Sequence, residues 1–270
     1  MIRTRICLVL FCGFVSASLF AADRTLVAEG AYVQRTKDGT VPYDHWRLWQ
    51  ESDSTFSAEV DSAKLPAFAQ TFYFDSKFLP SGYSLTVTRP KEGDKIGMTC
   101  HQKNDTLSCE SLFEGKTSST STKVSGPCLV MVDEAPGLDF LWAFAAMLRM
   151  PSAATPNPIC AYVLKEETLG AISLKSNSSS ERIVLAGEQN VEILGKHQPV
   201  RTYEVGNNGP VIWGEVRGND PTVHKHVVGH NEIWTIKVLP SGIVVSMSIK
   251  DASNGGFELA EYKEYRQWAP

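Results

Sequence analysis

Apolar and polar residues alternate with period two along most of the chain from residue 26 to residue 267, in short segments separated by Gly, Pro, Asn, Asp and Ser. This alternation is typical of antiparallel strands that bury one face. The predicted strands lie near residues 26–36, 41–51, 55–62, 67–76, 82–89, 95–102, 106–112, 118–124, 127–132, 158–164, 169–175, 181–187, 191–194, 200–205, 210–217, 231–239, 242–250 and 256–267. The pattern predicts a mainly β protein: an antiparallel, strongly curved sheet or an open, incomplete β-barrel.

The clearest hairpin in the sequence lies between residues 232 and 250. Its turn is the run Leu239–Gly242, whose Pro and Gly suit the second and fourth positions of a tight turn. The same Leu-Pro-Ser-Gly run occurs at Leu79–Gly82, which predicts a second turn between two strands. Chance or shared turn chemistry explains two such matches better than an internal duplication does.

One segment interrupts the β pattern. Residues 138–149 are apolar except for Asp139 and Arg149 near the two ends. Pro136 precedes the segment and Pro151 follows it, as expected of a helix start and stop. A helix of this length spans about 18 Å, whereas a bilayer requires about 20 residues, so no stable membrane span is predicted. An apolar helix of this size must be covered by protein or ligand, and we expect it on the concave face of the sheet.

The N-terminus has the pattern of a secretory signal peptide at residues 1–21. Basic residues precede a short apolar run, and small residues follow it. We expect cleavage near Ala21 or Ala22, which leaves residues 22–270 as a single β-rich domain. The mature protein would be exported, either to the periplasm or to the extracellular space.

The charge balance argues against nucleic acid as a partner. The full chain has a net charge of −4, and removal of the signal peptide takes away Arg3 and Arg5 but no acidic residue. The mature chain would then carry 24 Lys and Arg against 30 Asp and Glu, a net charge of −6. Nucleic acids and anionic lipid surfaces are bound through basic patches, and no run of Lys and Arg occurs.

Four cysteines remain after the signal peptide, and an even number in an oxidising compartment indicates disulfides. The residues Asn104–Asp105 suit a two-residue hairpin loop. Counting outward from that loop places Cys100 opposite Cys109, within disulfide range. The remaining pair would be Cys128 and Cys160, at the two ends of the helical segment. The alternative for all four is free thiols packed as small hydrophobes.

The sharpest polar cluster consists of His224, His226 and His230, with Glu232 nearby. Extended backbone at residues 224–226 would point both imidazoles to one side, where His230 or Glu232 could complete a metal site of a metal-dependent enzyme. The alternative is a solvated loop rich in histidine. The sequence contains no Gly-x-Ser-x-Gly, Ser-x-x-Lys or His-Glu-x-x-His motif, so we predict neither catalytic residues nor a cofactor.

Aromatic and large apolar residues on the strands and the helix are candidates for binding a hydrophobic molecule. In an open barrel they could line a pocket for an acyl chain or a similar ligand, or they could pack together as an ordinary core. The predicted ligand-binding residues are Trp46, Phe74, Leu141, Trp142, Phe144 and Trp234.

The layout of the chain resembles a known group of folds. An exported chain of β meanders that holds one apolar helix, and ends with a hairpin at residues 234–250 and a final strand at 257–266, resembles the open barrels of periplasmic lipid and lipoprotein carriers. It resembles even more the uncharacterised exported bacterial families of that shape. The resemblance covers most of the mature chain and involves layout rather than motifs. Because the apolar helix has no membrane to enter, we predict a non-enzymatic exported protein that holds a hydrophobic or lipid-like ligand between the sheet and the helix at residues 138–149. A structural role in envelope assembly, through strand pairing with a partner protein, is the other alternative.

Overall fold

A computed structural model describes residues 24–63, 68–88, 95–113, 115–124, 126–133, 159–165, 175–179, 181–207, 233–249 and 256–267. The described residues form β-strands, and tight turns join several neighbouring pairs of them. In chain order the strands are β1 (Thr25–Thr36), β2 (Gly39–Gln50), β3 (Phe56–Ser62), β4 (Phe68–Phe74), β5 (Pro80–Thr88), β6 (Lys95–Lys103), β7 (Thr106–Phe113), β8 (Lys116–Lys123), β9 (Leu129–Asp133), β10 (Ile159–Lys165), β11 (Lys175–Ser179), β12 (Glu181–Ile193), β13 (Lys196–Asn207), β14 (Ile233–Val238), β15 (Val244–Ile249) and β16 (Phe257–Glu264).

Thirteen of these strands form one antiparallel sheet in the order β12-β13-β14-β15-β16-β1-β2-β3-β4-β5-β6-β7-β8. The first and last strands among the described residues, β1 and β16, are hydrogen-bonded neighbours in the middle of this sheet. The edge strands β8 and β12 are not paired with each other, so the sheet is unclosed. The prediction of a mainly β, antiparallel fold is confirmed, and the unclosed sheet is consistent with an open barrel. The predicted helix at residues 138–149 lies outside the described residues.

Some predicted strands have different bounds in the structure. The two predicted strands at 181–187 and 191–194 form the single strand β12, which continues through a register shift between Leu185 and Gly187. Polar residues interrupt the alternation there because β12 is an edge strand, and residues 188–190 are exposed. The predicted strand at 210–217 lies outside the described residues, as does all of the predicted strand at 169–175 except its last residue.

The Leu-Pro-Ser-Gly run forms a turn only once. At Leu239 the turn is as predicted, since the Gly242 N–H donates to the Leu239 carbonyl over 2.8 Å. The prediction for Leu79–Gly82 is wrong, because the turn lies earlier and strand β5 already begins at Pro80. There the carboxylate of Asp75 accepts hydrogen bonds from the backbone N–H groups of residues 77 and 79, both over 2.8 Å.

The same turn geometry occurs at three hairpins of unrelated sequence. These turns begin at Glu51, Asp75 and Leu239. In each of them, the N–H of the first residue donates to the carbonyl of the fifth, and the carbonyl of the first accepts from the N–H of the fourth. The fourth residue has positive φ in each case, and it is Ser54, Phe78 or Gly242. Non-glycine residues rarely adopt this conformation. Phe78 does so while fully buried against other aromatic rings, so tertiary packing selects this turn.

The register aligns buried residues into rows that cross the sheet on its buried face. The first row, here called the apolar row, runs from β1 to β7. Each member is the direct Cα partner of the next, and each is at most 2% exposed. Its members are Ala28, Leu48, Ala58, Phe72, Tyr83, Cys100 and Cys109. Directly paired residues share one face, so this row defines the core side of the sheet.

The apolar row ends in the predicted disulfide. Cys100 and Cys109 are direct partners on β6 and β7, with 4.1 Å between their Cα atoms, and their sulfur atoms are bonded. The two-residue loop that sets this register contains Asn104, which has positive φ as that type of loop requires. The predicted Cys100–Cys109 disulfide is therefore confirmed.

Cys128 is also disulfide-bonded. Its predicted partner, Cys160, lies on β10, whose side chains are outside the described part of the structure. The backbone register pairs Leu129 with Ala161, the residues that directly follow the two cysteines. The register is compatible with a Cys128–Cys160 bond, which stays a prediction.

A small second sheet of three strands is attached to the buried face of the large one. Its order is β11-β10-β9, and β9 and β10 run parallel. Gln102, on the same face of β6 as Cys100, holds the chain just before β9. Its amide donates to the Gly126 carbonyl over 2.6 Å and accepts from the Cys128 N–H over 2.9 Å. Strand β9 itself lies beside β5 of the large sheet.

Candidate functional site

Three of the six predicted ligand-binding residues lie in the described part of the chain, and all three are on the buried face. Trp46 on β2 and Phe74 on β4 are each 1% exposed. Trp234 is half-buried on β14, on the same side as the buried residues Ile236 and Val238. The structure does not bring the three together at one point, since β14 lies on the far side of β1 from β2 and β4. Leu141, Trp142 and Phe144 lie outside the described residues.

The Trp46 side chain is enclosed by protein atoms. Its ring centroid lies 6.3 Å from that of Tyr32 and 6.1 Å from that of Tyr262. The indole also covers Gly30, where an added Cβ would lie 2.6 Å from the ring. Only glycine leaves room for the indole at this point. Trp46 therefore packs as a core residue, the alternative that the sequence left open for it.

Phe74 belongs to a group of stacked aromatic rings at the end of the sheet that contains the turns at Glu51 and Asp75. Its ring is parallel to that of Phe78, with centroids 4.2 Å apart and an interplanar angle of 7°. Phe56 meets the same Phe78 ring edge-on at 5.5 Å. Such aromatic pairs add stability beyond the burial of their area. Phe74 thus has the surroundings of a core residue.

Polar residues share the buried face with these aromatics, and sequence analysis missed them. The second row, here called the mixed row, lies beside the apolar row, and every member is buried. Its members are Gly30, Trp46, Val60, Gln70, Leu85, Met98 and Ser111. Gln70 and Ser111 have the same parity in their strands as neighbouring buried residues, so the alternation contained the signal that could have identified them.

A third row of directly paired residues, all with polar groups, lies beyond the mixed row on β1, β2 and β3. Asp44 is the direct partner of Tyr32 on one side and of Ser62 on the other, and all three are buried. The Tyr32 hydroxyl donates to the backbone carbonyl of Val244 over 2.9 Å. Burial raises the pKa of the Tyr32 phenol well above its ordinary value, with smaller contributions from Tyr262 and Asp44. Tyr32 therefore stays protonated as a hydrogen-bond donor at neutral pH.

Gln70 has a different environment from the other buried polar residues. It is 3% exposed, and its side-chain oxygen Oε1 is buried without a hydrogen-bond partner in the structure. Its row neighbours Val60 and Leu85 offer no side-chain donor. This carbonyl is a buried acceptor between apolar row neighbours, and the only chemistry that it can perform there is to accept a hydrogen bond.

No metal site is formed by the described residues, which contain no group of three or more His, Cys, Asp or Glu arranged to hold an ion. His224, His226, His230 and Glu232 lie outside them. Within the part of the chain that the structure covers, no helix has the length and apolarity needed to cross a membrane.

Comparison with known proteins found one similar solved structure and no matching family. No protein-family model matches the chain, and no curated protein matches it. One solved structure aligns with it, that of a beta-barrel-like protein of the domain of unknown function DUF1849 from Brucella abortus. The alignment has 10% sequence identity and a TM-score of 0.47, and it covers 89% of this chain and 99% of the other. A similarity of this size carries no argument about function.

Proposed function

We propose that the protein is an exported, non-enzymatic binding protein that holds a hydrophobic or lipid-like ligand between the buried face of the thirteen-stranded sheet and a helix at residues 138–149. The observation that carries the proposal is the parallel pairing of β9 and β10 beside β5. Parallel neighbours need a crossover connection, for which a helix is the usual solution. The sequence between these two strands contains the all-apolar segment.

The anchoring of β9 supports the location of the proposed ligand. Gln102 fixes the chain that enters β9 on the buried face through two hydrogen bonds, over 2.6 and 2.9 Å. Strand β9, which the crossover follows, lies beside β5 on the core side of the large sheet. An apolar helix there would face an apolar surface, and the space between two such surfaces suits an acyl chain.

Trp234 supports the proposal from the other half of the sheet. It lies on the same side of β14 as Ile236 and Val238, but it is only half-buried, whereas those two residues are fully buried. Its direct partners are Val205 and Ile249. A large aromatic ring that is incompletely covered at the end of a core face is a suitable contact for an apolar ligand.

Export is supported by the confirmed disulfide. Cys100 and Cys109 are bonded, and structural disulfides are characteristic of oxidising compartments.

The proposal is tested by producing the precursor in a Gram-negative host and purifying the mature protein without detergent. Native mass spectra are recorded before and after organic extraction, and the extract is analysed for lipids. We expect an added mass that extraction removes. Trp234→Ala should lower the ligand occupancy. The control Trp49→Ala should not lower it, because the Trp49 side chain lies on the opposite face of the sheet, where it hydrogen-bonds Glu59. An apo mass in the wild type, together with no uptake of N-phenyl-naphthylamine, would overturn the proposal.

Metal analysis of the same sample addresses the alternative enzyme. Stoichiometric metal that is lost in His226→Ala would overturn the non-enzymatic proposal in favour of a metal-dependent site at His224, His226 and His230. A metal content at background level in the lipid-bound sample supports the binding protein.

A further inference from the structure

The position of Gln70 is fixed by its strand. It lies in the middle of β4, on the same face as Phe68, Phe72 and Phe74. Its direct partners across the sheet are Val60 on β3 and Leu85 on β5, and both are buried. The amide is therefore held on the core side between two aliphatic side chains.

The amide oxygen of Gln70 lacks what buried polar atoms normally have. Oε1 is buried and accepts no hydrogen bond, although most buried polar groups in proteins are paired. The backbone N–H groups of its row neighbours belong to the strand ladder, and the side chains of Val60 and Leu85 carry no donor. Leaving such an acceptor unpaired destabilises a fold, so an apolar residue would serve the core better at this position.

We propose that Gln70 is the polar anchor of the ligand site, and that its Oε1 accepts a hydrogen bond from a hydroxyl group on an otherwise apolar, uncharged ligand. This inference rests on the proposed function and names the chemical class of the ligand. The class is the neutral amphiphiles: an acyl or alkyl chain that ends in an alcohol.

The unpaired oxygen of Gln70 argues for a hydroxyl head group. A fatty-acid carboxylate at Gln70 would present acceptors to an acceptor. A hydroxyl group supplies the missing donor without adding charge.

The test compares octanol with its isomer heptyl methyl ether, which has the same number of heavy atoms but no donor. Affinities are measured by displacement of N-phenyl-naphthylamine from the wild type and from Gln70→Met and Gln70→Leu. The control is Gln267→Leu, which makes the same change at an exposed residue after β16. In the wild type and in the control we expect octanol to bind about three- to tenfold more tightly than the ether. In both Gln70 variants the ratio should fall to about one.

The outcomes separate this inference from the proposed function. Equal affinities of octanol and the ether in the wild type would overturn the role of Gln70 while leaving a hydrophobic site intact. A preference for octanol that persists in Gln70→Met would overturn that role as well. Failure of N-phenyl-naphthylamine to bind the wild type, together with an apo mass in its native spectra, would overturn the proposed function itself. Folding of the variants is checked by thermal melting, where both Gln70 variants should melt at or above the wild-type temperature because the unpaired acceptor is gone.

Discussion

The hydroxyl of Tyr32 donates a hydrogen bond of 2.9 Å to the carbonyl of Val244, which lies 212 residues away in the sequence. The bond joins β1 to the start of β15, two strands across the sheet. Tyr32→Phe removes the donor and leaves a buried carbonyl without this partner, so we expect a loss of about 1–2 kcal/mol in the free energy of unfolding. Urea denaturation measures it. Tyr73→Phe is the control, because the Tyr73 hydroxyl is 3.5 Å from Ser84 Oγ and only partly buried.

Tyr32 should also make the fold sensitive to alkaline pH. Burial raises its pKa in the folded state, whereas an unfolded tyrosine titrates near pH 10. The folded state then keeps a proton that the unfolded state has released. The stabilisation is fully present below about pH 10 and is lost at higher pH, by about 1.4 kcal/mol per pH unit. Unfolding free energies at pH 9 and 11 should therefore diverge more in the wild type than in Tyr32→Phe. Equal losses in the two proteins would contradict the argument.

Gly30 is required by the packing of Trp46. A Cβ at this position would lie 2.5 Å from the Glu261 carbonyl oxygen and 2.6 Å from the Trp46 ring. Because one of these neighbours is a backbone atom, the clash can be relieved only by a shift of the chain. We therefore expect Gly30→Ala to lower the free energy of unfolding by at least about 1–3 kcal/mol. Gly97→Ala on β6 is the matched control, since nothing lies within 4 Å of its added Cβ. Chemical denaturation measures the loss, and a change in tryptophan emission should accompany it only in Gly30→Ala.

The Cys100–Cys109 disulfide should contribute measurably to stability. Its two residues are at most 1% exposed, and the bond closes a hairpin loop in the unfolded chain. Replacing both with Ala should lower the unfolding free energy by about 2–4 kcal/mol. Urea curves of the oxidised proteins test this, and a change below about 1 kcal/mol would contradict it. Digestion without reductant should release a Cys128–Cys160 peptide from both the wild type and the variant.

Features that depend on local chemistry could be predicted from the sequence. The two-residue loop at Asn104 sets the register of β6 and β7, and simple alternation then brings Cys100 to Cys109. The turn at Asp75 could not be predicted in the same way. Its position is selected by the burial of Phe78 against Phe74, a contact that only the folded sheet creates. The pairing of β1 with β16 could not be predicted either, because it joins segments that are far apart in the sequence.

The candidate site was predicted less well than the fold. Trp46 and Phe74 lie on the buried face, but the sequence could not decide whether such residues line a pocket or pack as core, since that depends on the volume around them. The polar residues Asp44 and Gln70 were missed because single polar residues at inward positions interrupt the alternation and resemble strand ends. Their parity with Trp46 and Phe72 was the available signal.

The Gln102 amide should control the attachment of the small sheet. Its two hydrogen bonds to Gly126 and Cys128 are the side-chain link described between β6 and the chain that enters β9. Gln102→Leu leaves both backbone groups without that partner, so we expect a loss of about 1–3 kcal/mol. Amide hydrogen exchange should accelerate most in residues 126–133, because local opening no longer requires these bonds to break. Gln267→Leu is the control, and peptides from β12 and β13 should keep their wild-type rates. Uniform acceleration across the large sheet would instead assign Gln102 to global stability and would contradict a local anchoring role.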